Sequence, residues 1–117
     1  MRISILIALA AAALPSVATA QGTTSRESVR CSLNDGPERT CVFADQALPS
    51  GGHRMTFTGT GIRVTFIGRA NSGWWSGQIN GKAAMGYERN RGNVVFSTND
   101  LGTRFAWWYP KSAHGSY

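Results

Sequence analysis

Short apolar segments with an alternating pattern run through the chain from residue 21 onward, separated by glycine and polar turns. Ile62, Val64 and Phe66, for example, alternate with polar or charged neighbours. A repeat of two residues is typical of a β-strand with one buried face. No segment shows a convincing helical repeat. The pattern predicts eight strands, near Ser28–Leu33, Thr40–Phe43, His53–Thr58, Ile62–Ile67, Trp74–Ile79, Lys82–Glu88, Asn93–Ser97 and Thr103–Tyr109.

The regular spacing of these strands predicts an all-β fold. We expect a small antiparallel β-sandwich or barrel of about seven or eight short strands. The polar ends, residues 21–27 and 111–117, are expected to fray. The stretch Asp45–Leu48 is expected to form one helical turn before Pro49. Residues 21–117 are enough for a single domain with one modest core.

The strongest local signal is Asn80-Gly81 between two strand segments, which favours a two-residue type I′ hairpin. This hairpin places Trp74 opposite Tyr87 and Trp75 opposite Gly86. We assign the face with Trp74 and Tyr87 to the core because it carries more large apolar groups. Trp75 is then expected to point outward.

The last strand gives a second pair of adjacent tryptophans. Phe105, Trp107 and Tyr109 alternate with Arg104, Ala106 and Trp108. The first set is predicted to lie in the core. Trp108 is therefore expected on the outer face, within reach of a cation–π contact with Arg104.

The N-terminus has the three parts of a secretory signal peptide. Arg2 precedes a small, apolar run from Ile5 to Leu14, and an A-x-A site ends at Ala20. The run is too short to span a bilayer of roughly 30 Å. We expect residues 1–20 to be a signal peptide and residues 21–117 a secreted or periplasmic domain without a membrane span.

The predicted mature chain is basic, because removing Arg2 leaves 11 basic and six acidic residues, a net charge of +5. Nine of these cations are arginine, whose planar fork suits carboxylate and phosphate groups. A role in keeping the protein soluble explains the excess positive charge as well as an anionic partner does. An anionic partner is expected, with nucleic acid excluded by the exported compartment.

The chain has two cysteines, Cys31 and Cys41, separated by a strong turn sequence, Asn34-Asp35-Gly36-Pro37. In an exported chain such a pair predicts a disulfide. Nine intervening residues do not match a C-x-x-C redox or metal motif. We expect one structural disulfide, and neither a metal nor a cofactor.

Binding is more strongly indicated than catalysis. Outward tryptophans with polar neighbours form platforms that stack on sugar rings or anchor protein partners. The turn around Gly92 adds two arginines that suit bidentate anion binding, although a solvated turn has the same composition. The predicted ligand-binding residues are Trp75, Trp108, Arg89, Arg91 and Arg104.

No catalytic motif of the H-E-x-x-H, G-x-S-x-G or P-loop type is present. His53 begins a strand and His114 lies in the predicted loose tail. Nothing in the sequence selects a general acid–base pair among the scattered carboxylates. We therefore expect that the protein is not an enzyme, with an unrecognised site as the remaining alternative.

Two short segments resemble periplasmic inhibitors of C-type lysozyme, which are small, exported, disulfide-bearing β-barrels. The segments are Ala84-Met85-Gly86-Tyr87, similar to a small-x-Gly-x-Tyr pattern, and Trp107-Trp108-Tyr109-Pro110-Lys111. They cover about a tenth of the chain, and Met85 occupies the site adjacent to the glycine where that pattern has serine. A charge of +5 also opposes binding to a basic lysozyme.

These observations predict a small exported domain that binds an anionic partner. Its leading ligand class is an anionic envelope polysaccharide such as peptidoglycan, or another acidic surface. The alternative is a protein-interaction or inhibitor module that uses the same residues to engage an acidic protein surface.

Overall fold

The computed structural model describes residues 24–90 and 92–112. The predicted signal peptide, Gln21–Thr23, Arg91 and the tail after Ser112 lie outside the described residues. The strands are β1 Thr24–Leu33, β2 Arg39–Ala47, β3 His53–Gly59, β4 Ile62–Asn71, β5 Trp74–Ile79, β6 Lys82–Asn90, β7 Asn93–Thr98 and β8 Arg104–Trp108.

The eight strands form a closed antiparallel barrel. Each strand pairs with its neighbours in the sequence, and β1 pairs with β8 to close the sheet. The pairing joins Arg30–Leu33 of β1 to Phe105–Trp108 of β8, so these segments are not left as open sheet edges. The predicted all-β class is confirmed, and of the two expected architectures the barrel is the one formed.

All eight predicted strands are present, but two flanking predictions were wrong. Thr24 to Glu27, expected to fray, pairs with the end of β2. The segment from Asp45 to Ala47, expected to be helical, is part of β2: Asp45 and Gln46 pair with both β1 and β3, and Ala47 pairs with β3. Strand pairing satisfies these backbone groups, and the helical turn moves to Pro49–Gly51, where proline fits the first turn.

The core is an aromatic stack along the barrel axis. Phe66 and Phe96 stack at 4.1 Å, and Phe57 contacts both Phe43 and Phe105. The expected core positions on β4 and β8 are confirmed. Buried members of the core are Val29, Cys31, Cys41, Phe43, Met55, Phe57, Ile62, Val64, Phe66, Ile79, Ala84, Val94, Phe96, Phe105 and Trp107.

The predicted disulfide is confirmed and lies inside the barrel. Cys31 on β1 and Cys41 on β2 are bonded, with Cα atoms 6.0 Å apart, and both are fully buried. The intervening turn places Asn34 and Asp35 at positive φ, a conformation that these side chains tolerate. The bond joins two neighbouring strands next to the aromatic stack.

The β5–β6 hairpin has the predicted register, but its faces are reversed. Trp74 pairs with Tyr87 and Trp75 with Gly86. Trp74 is 56% exposed, whereas Trp75 packs against the core. The reason is interior volume, because the stacked phenylalanines already fill the barrel at this level. A Cβ added to Gly86 would lie 2.3 Å from the ring of Phe96.

The helical structure in the described residues consists of short 3₁₀ turns, Pro49–Gly51 and Pro110–Ser112. No helix in this part of the chain is long and apolar enough to cross a membrane.

Candidate functional site

The most exposed large aromatic side chain of the described residues lies on the outer face of β5. Trp74 is 56% exposed and Tyr87, its partner on β6, is 37% exposed. Their ring centroids are 5.9 Å apart at an interplanar angle of 45°. The two neighbouring rings form an aromatic surface on the outside of the sheet.

This pair forms one wall of an open groove of about 530 Å³. Apolar side chains from β6 and β7 make its floor, and polar groups from the β7–β8 turn and β8 line its other side. We call it the outer groove. Its lining residues are Trp74, Met85, Tyr87, Val95, Ser97, Thr98, Asn99, Leu101 and Arg104.

The β7–β8 turn that borders the outer groove is held by Asp100. Its carboxylate accepts hydrogen bonds from the Thr98 hydroxyl at 2.7 Å and from the Gly102 N–H at 2.8 Å. These bonds, with a smaller effect of Lys82, hold the pKa of Asp100 below its usual value. The turn places Leu101 at a φ of 62° and 80% exposed at the groove edge.

The strand register relates Arg104, which lines the groove, to a second outward arginine, Arg69, which does not line it. Arg69 on β4 pairs with Ser76 on β5, which pairs with Met85 on β6. Met85 pairs with Ser97 on β7, which pairs with Arg104 on β8. Four steps of roughly 4.8 Å separate the two arginine Cα atoms by about 19 Å along the curved sheet.

These arginines retain hydrogen-bonding capacity. Arg104 Nη1 lies 3.2 Å from an Asp35 carboxylate oxygen, and a guanidinium has five N–H donors in total. Arg69 is exposed and has no ion pair among the described residues. The outer groove therefore combines an apolar, aromatic floor with one lining cation, Arg104.

Of the predicted ligand-binding residues that the structure describes, only Arg104 lines the outer groove. Trp75 faces inward and Trp108 is only 6% exposed, so neither forms the predicted outward platform. Trp108 lies on the outer face but opposite Arg30 and Asn93, away from the groove. The structure does not bring these two tryptophans together with the groove.

The arginine predictions have a mixed outcome. Arg104 lines the outer groove. Its predicted cation–π contact with Trp108 stays a prediction; the two Cα atoms are four residues, about 13 Å, apart along β8. Arg89 is exposed beside the β6–β7 turn, and Arg91 lies outside the described residues.

Trp74, Tyr87 and Met85 were not predicted to line a site, because their face of the hairpin was assigned to the core. The sequence does contain a sign of the true orientation: on β5 and β6 the opposite face carries Gly77, Ala84 and Gly86. Small residues of this kind fit a barrel interior that is already filled from other strands.

The described residues contain no group of three His, Cys, Asp or Glu side chains placed to bind a metal ion. Comparison of the chain with protein-family models, with curated proteins and with solved structures gave no match to any of them.

Proposed function

We propose that the protein is an exported binding module whose outer groove holds an anionic glycan. The observation that carries this proposal is the 56% exposure of Trp74 on the barrel surface, beside Tyr87 and in a groove that Arg104 also lines. Large exposed aromatic groups on monomeric proteins commonly mark interaction sites.

The chemistry of the groove suits an acidic sugar chain. The apolar face of a sugar ring packs on Trp74 and Tyr87, as in other aromatic binding platforms. Ser97 and Asn99 offer polar groups to sugar hydroxyls, and the guanidinium of Arg104 suits a sugar carboxylate. The predicted mature charge of +5 adds long-range attraction to an anionic polymer.

A protein-interaction module is the second candidate, and one observation favours it. Met85 is 47% exposed and Leu101 80% exposed beside Trp74, and apolar and aromatic anchors of this kind are typical of protein interfaces. The same groove would then bind an acidic protein surface. This candidate predicts no binding of isolated sugars.

The test is calorimetric titration of the protein with oligogalacturonate and with its uncharged methyl ester. Trp74→Ala should weaken binding of the acidic form about 30-fold, corresponding to roughly 2 kcal/mol for an aromatic anchor. Arg104→Ala should weaken it more at low salt than at high salt, because exposed charges are screened.

Two matched controls accompany these variants. Val42→Ala removes apolar surface that is 44% exposed on β2, outside the groove. Arg63→Ala removes an exposed charge on β4 that does not line the groove. Equal binding of the acid and its ester, or equal effects of control and groove variants, would count against the glycan proposal.

A further inference from the structure

One end of the barrel interior is polar, although the positions below it on the same strands are apolar. Side chains two residues apart share a face, so Glu27 follows Val29 along the inner face of β1, and Asp45 follows Phe43 on β2. The same change from apolar to polar side chains occurs on β3 and at the end of β8. We call this end the barrel mouth, formed by Glu27, Asp45, His53, Trp75 and Tyr109.

The mouth holds two carboxylates on adjacent strands. Glu27 on β1 pairs with Phe43 on β2, two residues before Asp45 on the same face, so both carboxylates lie at this end of the barrel. Burial, the charge of Glu27 and a hydrogen bond to Glu27 raise the pKa of Tyr109, and the charge of Asp45 adds to the effect. In that hydrogen bond the phenol donates to the carboxylate of Glu27.

The polar groups of the mouth mainly present acceptors. His53 Nδ1 lies 2.9 Å from Asp45 Oδ1. A neutral imidazole that donates its Nδ1–H to this carboxylate has Nε2 as an acceptor. The half-buried indole of Trp75 lies beside it, with ring centroids 5.5 Å apart at 76°.

Among the described residues, the carboxylates of the mouth form no ion pair with a lysine or arginine. The chain has 12 basic and six acidic residues, so partners are abundant. Yet the ion pairs that Lys and Arg make within the described residues involve Glu38, Asp100 and Asp35. Glu27 and Asp45 are left facing an imidazole, a phenol and an indole.

We propose that the barrel mouth binds an organic cation through an ammonium or guanidinium group. Glu27 and Asp45 supply the charge, His53 Nε2 accepts a hydrogen bond, and Trp75 supplies a ring that attracts cations. An ammonium group carries three donors and no acceptor, which complements these acceptors. An amino sugar and a lysine or arginine side chain both present this chemistry.

The experiment titrates the protein with glucosamine and with Nα-acetyl-lysine methylamide, each against its uncharged N-acetylated form. Binding is measured by calorimetry and by the indole N–H resonance of Trp75. Glu27→Gln and Asp45→Asn are the test variants. Glu38→Gln, on an exposed carboxylate elsewhere, is the matched control, and thermal melts confirm that each variant is folded.

We expect at least one charged amine to bind and to shift the Trp75 resonance. Each mouth variant should bind it about tenfold more weakly, a loss of roughly 1.4 kcal/mol, with no change for Glu38→Gln. Preference for glucosamine identifies an amino sugar, and preference for the lysine derivative identifies a protein side chain. Trp74→Ala should bind the amine normally, which separates this site from the outer groove.

Three results would overturn the proposal. The first is equal binding of charged and acetylated forms. The second is unchanged amine binding in folded Glu27→Gln and Asp45→Asn proteins. The third is no binding of either amine to the wild-type protein.

Discussion

Replacing Gly86 with alanine tests whether the β5–β6 hairpin faces the barrel as described. Gly86 is buried opposite Trp75, on the face that looks into the barrel. An added Cβ would lie 2.3 Å from Phe96 Cδ1 and 2.8 Å from Phe96 Cε1. If this face pointed to solvent, the same methyl group would have room.

The magnitude follows from the space around Phe96. Carbon atoms pack at roughly 3.5–4.0 Å, so the ring must move by more than about 1 Å. Phe96 is fully buried and stacked on Phe66 at 4.1 Å, so it cannot move without disturbing the aromatic stack. Overpacking of this kind costs about 1–3 kcal/mol, and we expect the upper end, a fall in Tm of roughly 12–24 °C.

Urea unfolding followed by fluorescence gives the free energy of unfolding of each variant. Gly52→Ala is the matched control, because its added Cβ would meet its nearest atoms at 3.5 Å and beyond, which is ordinary contact. That variant should be neutral or stabilised by up to about 1 kcal/mol. Equal stability of the Gly86 and Gly52 variants would refute the described orientation of the hairpin.

Two other predictions concern stability. Cys31→Ser opens the buried disulfide and should lower the free energy of unfolding by roughly 2–4 kcal/mol. Urea unfolding measures this change, and a stability equal to wild type would show that the bond contributes nothing. The raised pKa of Tyr109 contributes stability that is complete below the ordinary tyrosine pKa and is lost as pH rises through the folded-state pKa. The wild-type free energy of unfolding should therefore fall above about pH 10 more than that of Tyr109→Phe, and parallel pH curves for the two proteins would contradict this.

Local sequence signals were sufficient for the elements of the fold. Asn80-Gly81 predicted a hairpin register that is confirmed pair by pair, and both residues have the positive φ of a type I′ turn. Alternating patterns located every strand. Turn chemistry and strand patterning depend on neighbours in the sequence, so they can be read without the fold.

The side of the hairpin that faces inward could not be found by counting apolar residues. Trp74 and Met85 are more hydrophobic than Gly77 and Gly86, yet the glycines face inward. The deciding quantity is the volume left inside a closed barrel by side chains from other strands, chiefly Phe96. That volume depends on the pairing of β1 with β8, two strands that are distant in the sequence.

The candidate site has the same long-range origin. Arg104 was identified from its own strand, but it lies beside Trp74 and Tyr87 only through the register of β5 to β8. The barrel mouth likewise gathers residues from separate strands, and single-strand patterns assigned no role to Glu27 or Asp45. The location of the candidate site therefore could not be predicted from single strands.

The most direct test of the proposed function uses the four tryptophan indole N–H resonances as position-specific reporters. They are assigned by substitution and followed during titration with oligogalacturonate. Our account predicts that the Trp74 resonance moves most, while the resonances of buried Trp107 and Trp108 stay in place. Movement confined to Trp75, or no movement at Trp74 at saturation, would contradict binding in the outer groove.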